Sequence, residues 1–134
     1  MRVSRFPDPR TASKEGIVAI GGDLDVATLV DAYEHGIFPW PQEGIPLLWF
    51  CPEERGWIDL TKELVVPTRF AQKMKKWKRE GRLEIRINTE FRKVLSQCRH
   101  SKRKDQDGTW ILPDMVEAYV AMHGAGYAHS IETW

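Results

Sequence analysis

The chain is 134 residues long, about the size of one domain, and its 42% hydrophobic and 29% charged residues exclude a disordered or fibrous polymer. No apolar run approaches the ~20 residues that span a bilayer. No signal-peptide core follows Met1-Arg2-Val3-Ser4, so a cytoplasmic protein with no membrane partner is expected. Cys51 and Cys98 lie far apart and fit no metal or redox spacing, so they read as two reduced thiols.

The net charge of +1 conceals a strong partition along the chain. Residues 1–64 carry six Lys/Arg against eleven Asp/Glu. Residues 65–104 carry fourteen against three, and residues 105–134 carry five acids and no Lys/Arg. A basic block between two acidic ones is a candidate polyanion-binding surface, or else the solvated face of a helix.

In chain order, the first element to declare itself is a helix over 26–35. Val26, Leu29, Val30 and Tyr33 fall at i, i+3, i+4 and i+7, with Asp25 as N-cap and Gly36 just past the end. The prolines of Ile37-Phe38-Pro39-Trp40-Pro41 forbid helix, so this segment is expected to be an ordered apolar loop. Leu47-Leu48-Trp49-Phe50 reads as a short buried strand. A domain boundary is placed near residue 62, giving a small N-terminal domain over 1–62 and a second unit over 63–134.

Pro67 opens a second helix that runs to about Glu80, with Phe70, Met74 and Trp77 on an inward face. Its other face carries Arg69, Lys73, Lys75, Lys76, Lys78 and Arg79. Leu83, Ile85 and Ile87 alternate with Glu84, Arg86 and Asn88, the pattern of a half-buried strand. Phe91, Val94, Leu95 and Cys98 make the stripe of a third helix, and a basic loop follows over 99–108. Pro113 starts a fourth helix with Met115, Val116, Tyr119 and Met122 inward, and 127–134 reads as one more strand beside 83–88. The class is therefore α+β. The order strand, helix, helix, strand is how an acetyltransferase-type (GNAT) fold begins.

Three tempting motifs carry no chemistry. His129 and Ser130 are adjacent in a strand, which points them to opposite faces and defeats direct proton transfer. Gly21-Gly22-Asp23 lacks the spacing and the Lys of a phosphate loop and reads as a tight turn. Glu117 reads as solvated helix surface.

Two stretches are more specific. The first joins Gly21-Gly22-Asp23-Leu24, Ala32-Tyr33, Gly36-Ile37-Phe38-Pro39-Trp40, Leu48-Trp49 and Pro52. The second joins Gly108-Thr109-Trp110-Ile111, Glu117-Ala118-Tyr119 and Gly126-Tyr127-Ala128-His129-Ser130-Ile131-Glu132. In this order and spacing they resemble the leucyl/phenylalanyl-tRNA–protein transferase family, from Phe6 to Trp134, with only the register of the basic helix loose. The resemblance implies a small N-terminal domain followed by the first half of a GNAT-like catalytic domain. It also implies transfer of Leu, Phe or Met from aminoacyl-tRNA to acceptor proteins beginning with Arg or Lys, in the N-degron degradation pathway.

No cofactor and no metal are implied. Trp40 and Trp110 are expected to line the aminoacyl-adenosine site. Lys73, Lys75, Lys76, Lys78 and Arg79 suit the phosphate backbone of tRNA. The carboxylate and Asp-x-Gln element that the family uses at the acceptor end have no counterpart in these residues. The chain is expected to be an N-terminal portion whose truncated sheet self-associates or aggregates. A non-catalytic tRNA-binding module of the same family is the alternative. An acetyl-CoA-dependent acetyltransferase is disfavoured, because Phe38-Pro39-Trp40 and Gly108-Thr109-Trp110-Ile111 have no role in one.

Overall fold

Gly21 and Gly22 both take positive φ, 84° and 88°, a conformation that strains residues with a Cβ. The turn they make carries the chain from strand β1 (Ile17–Ile20) into helix α1 (Val26–Glu34). The Gly21 carbonyl accepts the indole N–H of Trp49 at 2.8 Å, and the Gly21 N–H donates to the Leu47 carbonyl at 2.7 Å. In this computed structural model, residues 4–59, 61–62, 65–101 and 108–134 are described. The remaining elements are β2 (Phe38–Pro39), β3 (Leu48–Phe50), α2 (Thr68–Arg79), β4 (Ile85–Ile87), α3 (Phe91–His100), α4 (Pro113–Gly124) and β5 (Ile131–Thr133). No described helix is long and apolar enough to cross a membrane.

The strands form a three-stranded antiparallel sheet in the order β1-β3-β2 and a two-stranded antiparallel sheet of β4 and β5. Two strands in the first sheet differ from the sequence-based expectation. β1 carries no clear sequence signal because Ile17-Val18-Ala19-Ile20 is uniformly apolar and short, without alternation. Residues 37–41 are not wholly a loop: Phe38 pairs with Phe50 and Pro39 with Trp49. Proline is tolerated there because β2 is an edge strand, where a missing N–H breaks no central ladder.

Helix α1 ends as expected, with Gly36 in the left-handed region at φ 73°. Asp25 occupies the N-cap but makes no capping bond; the Asp23 carboxylate instead accepts the Asp25 N–H at 3.0 Å. The core joins Leu29 and Ala32 of α1, Ile37, and Trp49 of β3 to Ala118 and Met122 of α4. Helix α4 therefore seals the N-terminal sheet and helix, and the largest buried cluster spans both sides of residue 62.

β4 and β5 are neighbours, as the sequence predicts, with Ile85 opposite Thr133, Arg86 opposite Glu132 and Ile87 opposite Ile131. The expected half-buried apolar face is not found, however: no residue of β4 is buried. Ile85, Ile87 and Ile131 are exposed, whereas Glu132 is buried. The cause is local: the Glu132 carboxylate accepts the N–H groups of Thr89 and Glu90, the two residues that lead into α3. With a side-chain period of two, an inward Glu132 forces Ile131 and its partners outward. α2 keeps its expected bounds within a residue, but none of its residues is buried and Phe70 is 55% exposed. The face of α2 expected to point inward meets no core. Cys98 of α3 is likewise exposed, and both cysteines are free thiols.

Candidate functional site: an aromatic platform and a basic helix

Trp40 leaves β2 at the edge of the first sheet, where its backbone N–H donates to the Leu48 carbonyl at 2.9 Å. Trp110 lies just before α4, two residues ahead of the α4 N-cap Leu112. The fold stacks these two indoles, with centroids 5.4 Å apart and planes at 21°. The pair continues as a row of rings. Trp110 meets Tyr119 edge-on at 6.3 Å, Trp40 meets Phe38 edge-on at 6.4 Å, and Phe38 stacks on Phe50 at 6.2 Å. Trp40 remains 37% exposed and Trp110 half-buried, so the pair keeps surface for a ligand.

Behind the pair, the hydroxyls of Tyr33 from α1 and Tyr119 from α4 are hydrogen-bonded to each other. Burial raises the pKa of both phenols, so these hydroxyls stay protonated at neutral pH. A cleft of about 380 Å³ is lined by Asp23, Pro41, Ile45, Leu112, Asp114 and Met115, between the Gly21–Gly22 turn and the start of α4. Neither tryptophan lines it, although Pro41 follows Trp40 in sequence.

Lys73, Lys75, Lys76, Lys78 and Arg79 are all exposed and lie along α2. Lys73 sits over the Trp77 ring at 4.5 Å, and Lys76 reaches Glu80 at 3.8 Å. Exposed pairs of this kind contribute little stability, and these cations stay available to an external polyanion. Lys102 to Lys104, expected to extend the basic surface, lie outside the described residues. The structure thus brings together the two tryptophans and, on another element, the five basic residues.

The strand expected over 127–134 is only β5, Ile131–Thr133, so His129 and Ser130 precede it; Ser130 is buried and donates to Glu132 at 2.8 Å, while His129 is exposed. Asn88, held at φ 59°, accepts the Ser130 N–H through Oδ1 at 3.0 Å. That orientation leaves its Nδ2 to donate to His129 Nδ1 at 2.9 Å. The side chains of His129 and Ser130 bond to Asn88 and Glu132 respectively, not to each other. Glu117 is exposed but not free, since Arg92 grips it with two hydrogen bonds of 2.7 and 2.9 Å.

Sequence reasoning does not single out Tyr33, Tyr119 or Phe38. Both tyrosines fall on helix stripes and read as core. Only the tertiary pairing of α1 with α4 shows that their polar ends meet.

The arrangement is that of an α+β protein with an aromatic platform where its N-terminal sheet meets α4, and a separate cationic helix. Residues 64–134 match the leucyl/phenylalanyl-tRNA protein transferase family, and residues 22–53 match the N-terminal domain of that family. The chain belongs to the leucyl/phenylalanyl-tRNA–protein transferase family. Relatives of that name from Oleidesulfovibrio alaskensis and Myxococcus xanthus are each 44% identical over 129 residues, 96% of this chain. One from Flavobacterium johnsoniae is 42% identical over 129 residues. The chain spans about half the length of these curated relatives: 50%, 53% and 58%.

Proposed function

We propose that this chain forms the aminoacyl-tRNA-holding part of an aminoacyltransferase that moves Leu, Phe or Met onto proteins beginning with Arg or Lys. The stacking of Trp40 on Trp110 carries the reading, because it builds one apolar platform from two distant stretches of chain. The terminal adenine of the tRNA stacks on the exposed side of this pair, an interaction worth about 1–3 kcal/mol per base. The five cations of α2 hold the tRNA backbone by displacing its counterions.

The chemistry asked of the protein is modest. The acceptor's free α-amine attacks the ester carbonyl carbon, an amide bond forms, the ester C–O bond breaks, and the ribose hydroxyl leaves with a proton. Ester to amide is downhill, so positioning and charge stabilisation dominate the catalytic need. In this reading residues 63–134 begin a GNAT-like catalytic unit after an N-terminal domain of 1–62. The reaction occurs in the cytoplasm, marks acceptors for N-degron degradation, and takes no metal or nucleotide cofactor.

A second reading, a tRNA-holding module without chemistry, is favoured by one observation. The two titratable groups that close the platform, Tyr33 and Tyr119, are held protonated and bonded to each other, so neither is a base. One assay separates the two: labelled Phe-tRNA with a peptide beginning in Arg. Label appearing in the peptide supports the transferase. Phe-tRNA that binds without passing its label supports the module, and failure to bind rejects both.

A further inference from the structure

Arg55 lies beside the aromatic row, over Phe38, in a stretch with no assigned role. Its guanidinium carbon sits 5.5 Å from the Phe38 ring centroid, and Phe38 is the ring next to Trp40. Its Nη2 donates to the Gly36 carbonyl and to Cys51 Sγ, the latter at 3.2 Å. Gly36 holds this turn at φ 73°, and a Cβ there would make only ordinary van der Waals contact, 3.5 Å, with Arg55 Nη1. The side chain is held on three sides, by Gly36, Phe38 and Cys51, yet remains exposed.

Both hydrogen bonds to Gly36 and Cys51 use Nη2, which leaves the N–H groups of Nε and Nη1 free of them. Among the described residues, no carboxylate lies within 4.0 Å of this guanidinium. A fixed arginine with open donors, stacked on Phe38 and so one ring-to-ring step from the exposed indole of Trp40, has the chemistry of a phosphate ligand. Guanidinium–phosphate hydrogen bonds are charge-assisted, and a side chain already immobilised loses little entropy on making them.

We propose that Arg55 is the phosphate-binding end of the aromatic platform, so that the site takes a nucleoside phosphate: base on the Trp40–Trp110 pair, phosphate on Arg55. The proposal rests on the aminoacyl-adenosine reading above and deepens it. That reading places the base; Arg55 fixes the direction in which the polynucleotide leaves the platform. Glu53 and Glu54 are exposed neighbours in sequence, so direct hydrogen bonding, and not the general field of this segment, must supply the attraction.

The test is a titration of the 134-residue chain with adenosine, adenosine 5′-monophosphate and inorganic phosphate, followed by NMR at the indole N–H signals of Trp40 and Trp110. The monophosphate is expected to bind about three- to tenfold more tightly than adenosine at low salt, the scale of one exposed charge-assisted hydrogen bond. Arg55→Gln is expected to erase that difference. Arg55→Lys, which keeps the charge without the fork, retains a smaller part that added salt removes. Should Arg55→Gln fail to fold, Arg55→Lys and the salt dependence of the wild type decide the matter. Adenosine binding with no gain from the phosphate, or a gain that survives in Arg55→Gln or ignores salt, overturns the Arg55 assignment and leaves the platform standing. Absence of adenosine binding removes the platform itself and the phosphate site with it.

Discussion

The carboxylate of Glu132 on β5 accepts the backbone N–H of Glu90, at the start of α3, at 2.8 Å. Burial alone would raise the pKa of this group. The Thr89 hydroxyl, the Glu90 N–H, the Ser130 hydroxyl and the Thr89 N–H together outweigh it and hold the carboxyl at about 2 instead of its ordinary 4.5. A carboxylate whose folded pKa is depressed adds stability that is full above its unfolded pKa and disappears as pH falls through the folded one. The melting temperature should therefore drop as pH falls from about 4.5 towards 2. Glu132→Gln should melt lower at neutral pH and show a flatter profile across that window. Thermal melts at a series of pH values decide it, and parallel profiles for the two proteins would contradict the role given to Glu132.

The outward face of the small sheet should be adhesive. Ile85, Ile87 and Ile131 are 58%, 63% and 75% exposed and form one apolar patch across two strands, with both strand edges open. Sedimentation velocity should show the average mass rising with concentration. Ile131→Lys should suppress the rise while changing stability by no more than about 0.5 kcal/mol, as for an exposed site. A wild-type chain that stays monomeric at every concentration would count against the patch as an association surface.

The tryptophans should divide by role. Trp49 is 1% exposed, hydrogen-bonded to Gly21 and packed edge-on against Phe6 at 4.7 Å. Trp49→Ala should cost about 3–5 kcal/mol in urea unfolding. Trp40→Ala and Trp110→Ala should cost less stability and instead weaken binding of a 3′-aminoacyl-adenosine ester by about 1–3 kcal/mol. If Trp110→Ala unfolds the protein as readily as Trp49→Ala yet leaves ester binding intact, Trp110 belongs to the core.

Charge on α2 should control RNA affinity and leave the fold alone. The double substitution Lys75→Glu and Lys76→Glu touches only exposed side chains. It should weaken tRNA binding and make the dependence of log K on log salt shallower by about 0.9 for each phosphate that the helix no longer neutralises. Unchanged affinity, or weaker affinity with an unchanged salt slope, would remove α2 from the RNA surface.

Much of the secondary structure is legible in the sequence because its signals are local. Helices α1, α2 and α4 announce themselves through apolar spacing and glycines beyond their ends, α2 and α4 also through prolines at their starts. β4 announces itself by a period-two pattern. β1 and β2 are not legible. One is a short uniform apolar run, and the other contains a proline that only an edge position excuses, and edge position is a property of the assembled sheet. The direction of burial in the second sheet is hidden for a related reason. Alternation shows that a strand has two unlike faces, but it does not show which one meets the protein.

What the sequence determined by itself was the family, the helix positions and the basic block, each encoded in residue identity and spacing over a few turns of chain. What only the tertiary structure decided was that Trp40 and Trp110 stack, that Tyr33 and Tyr119 join hydroxyls, and that Arg55 lies against Phe38. It also decided that Glu132 faces inward while three isoleucines face out. These pairings link residues from different elements, and they form only when α4 packs on the N-terminal sheet and β5 docks beside β4. Local propensity carries no information about such distant partners, because the free energy that selects them comes from burial and hydrogen bonding in the assembled chain.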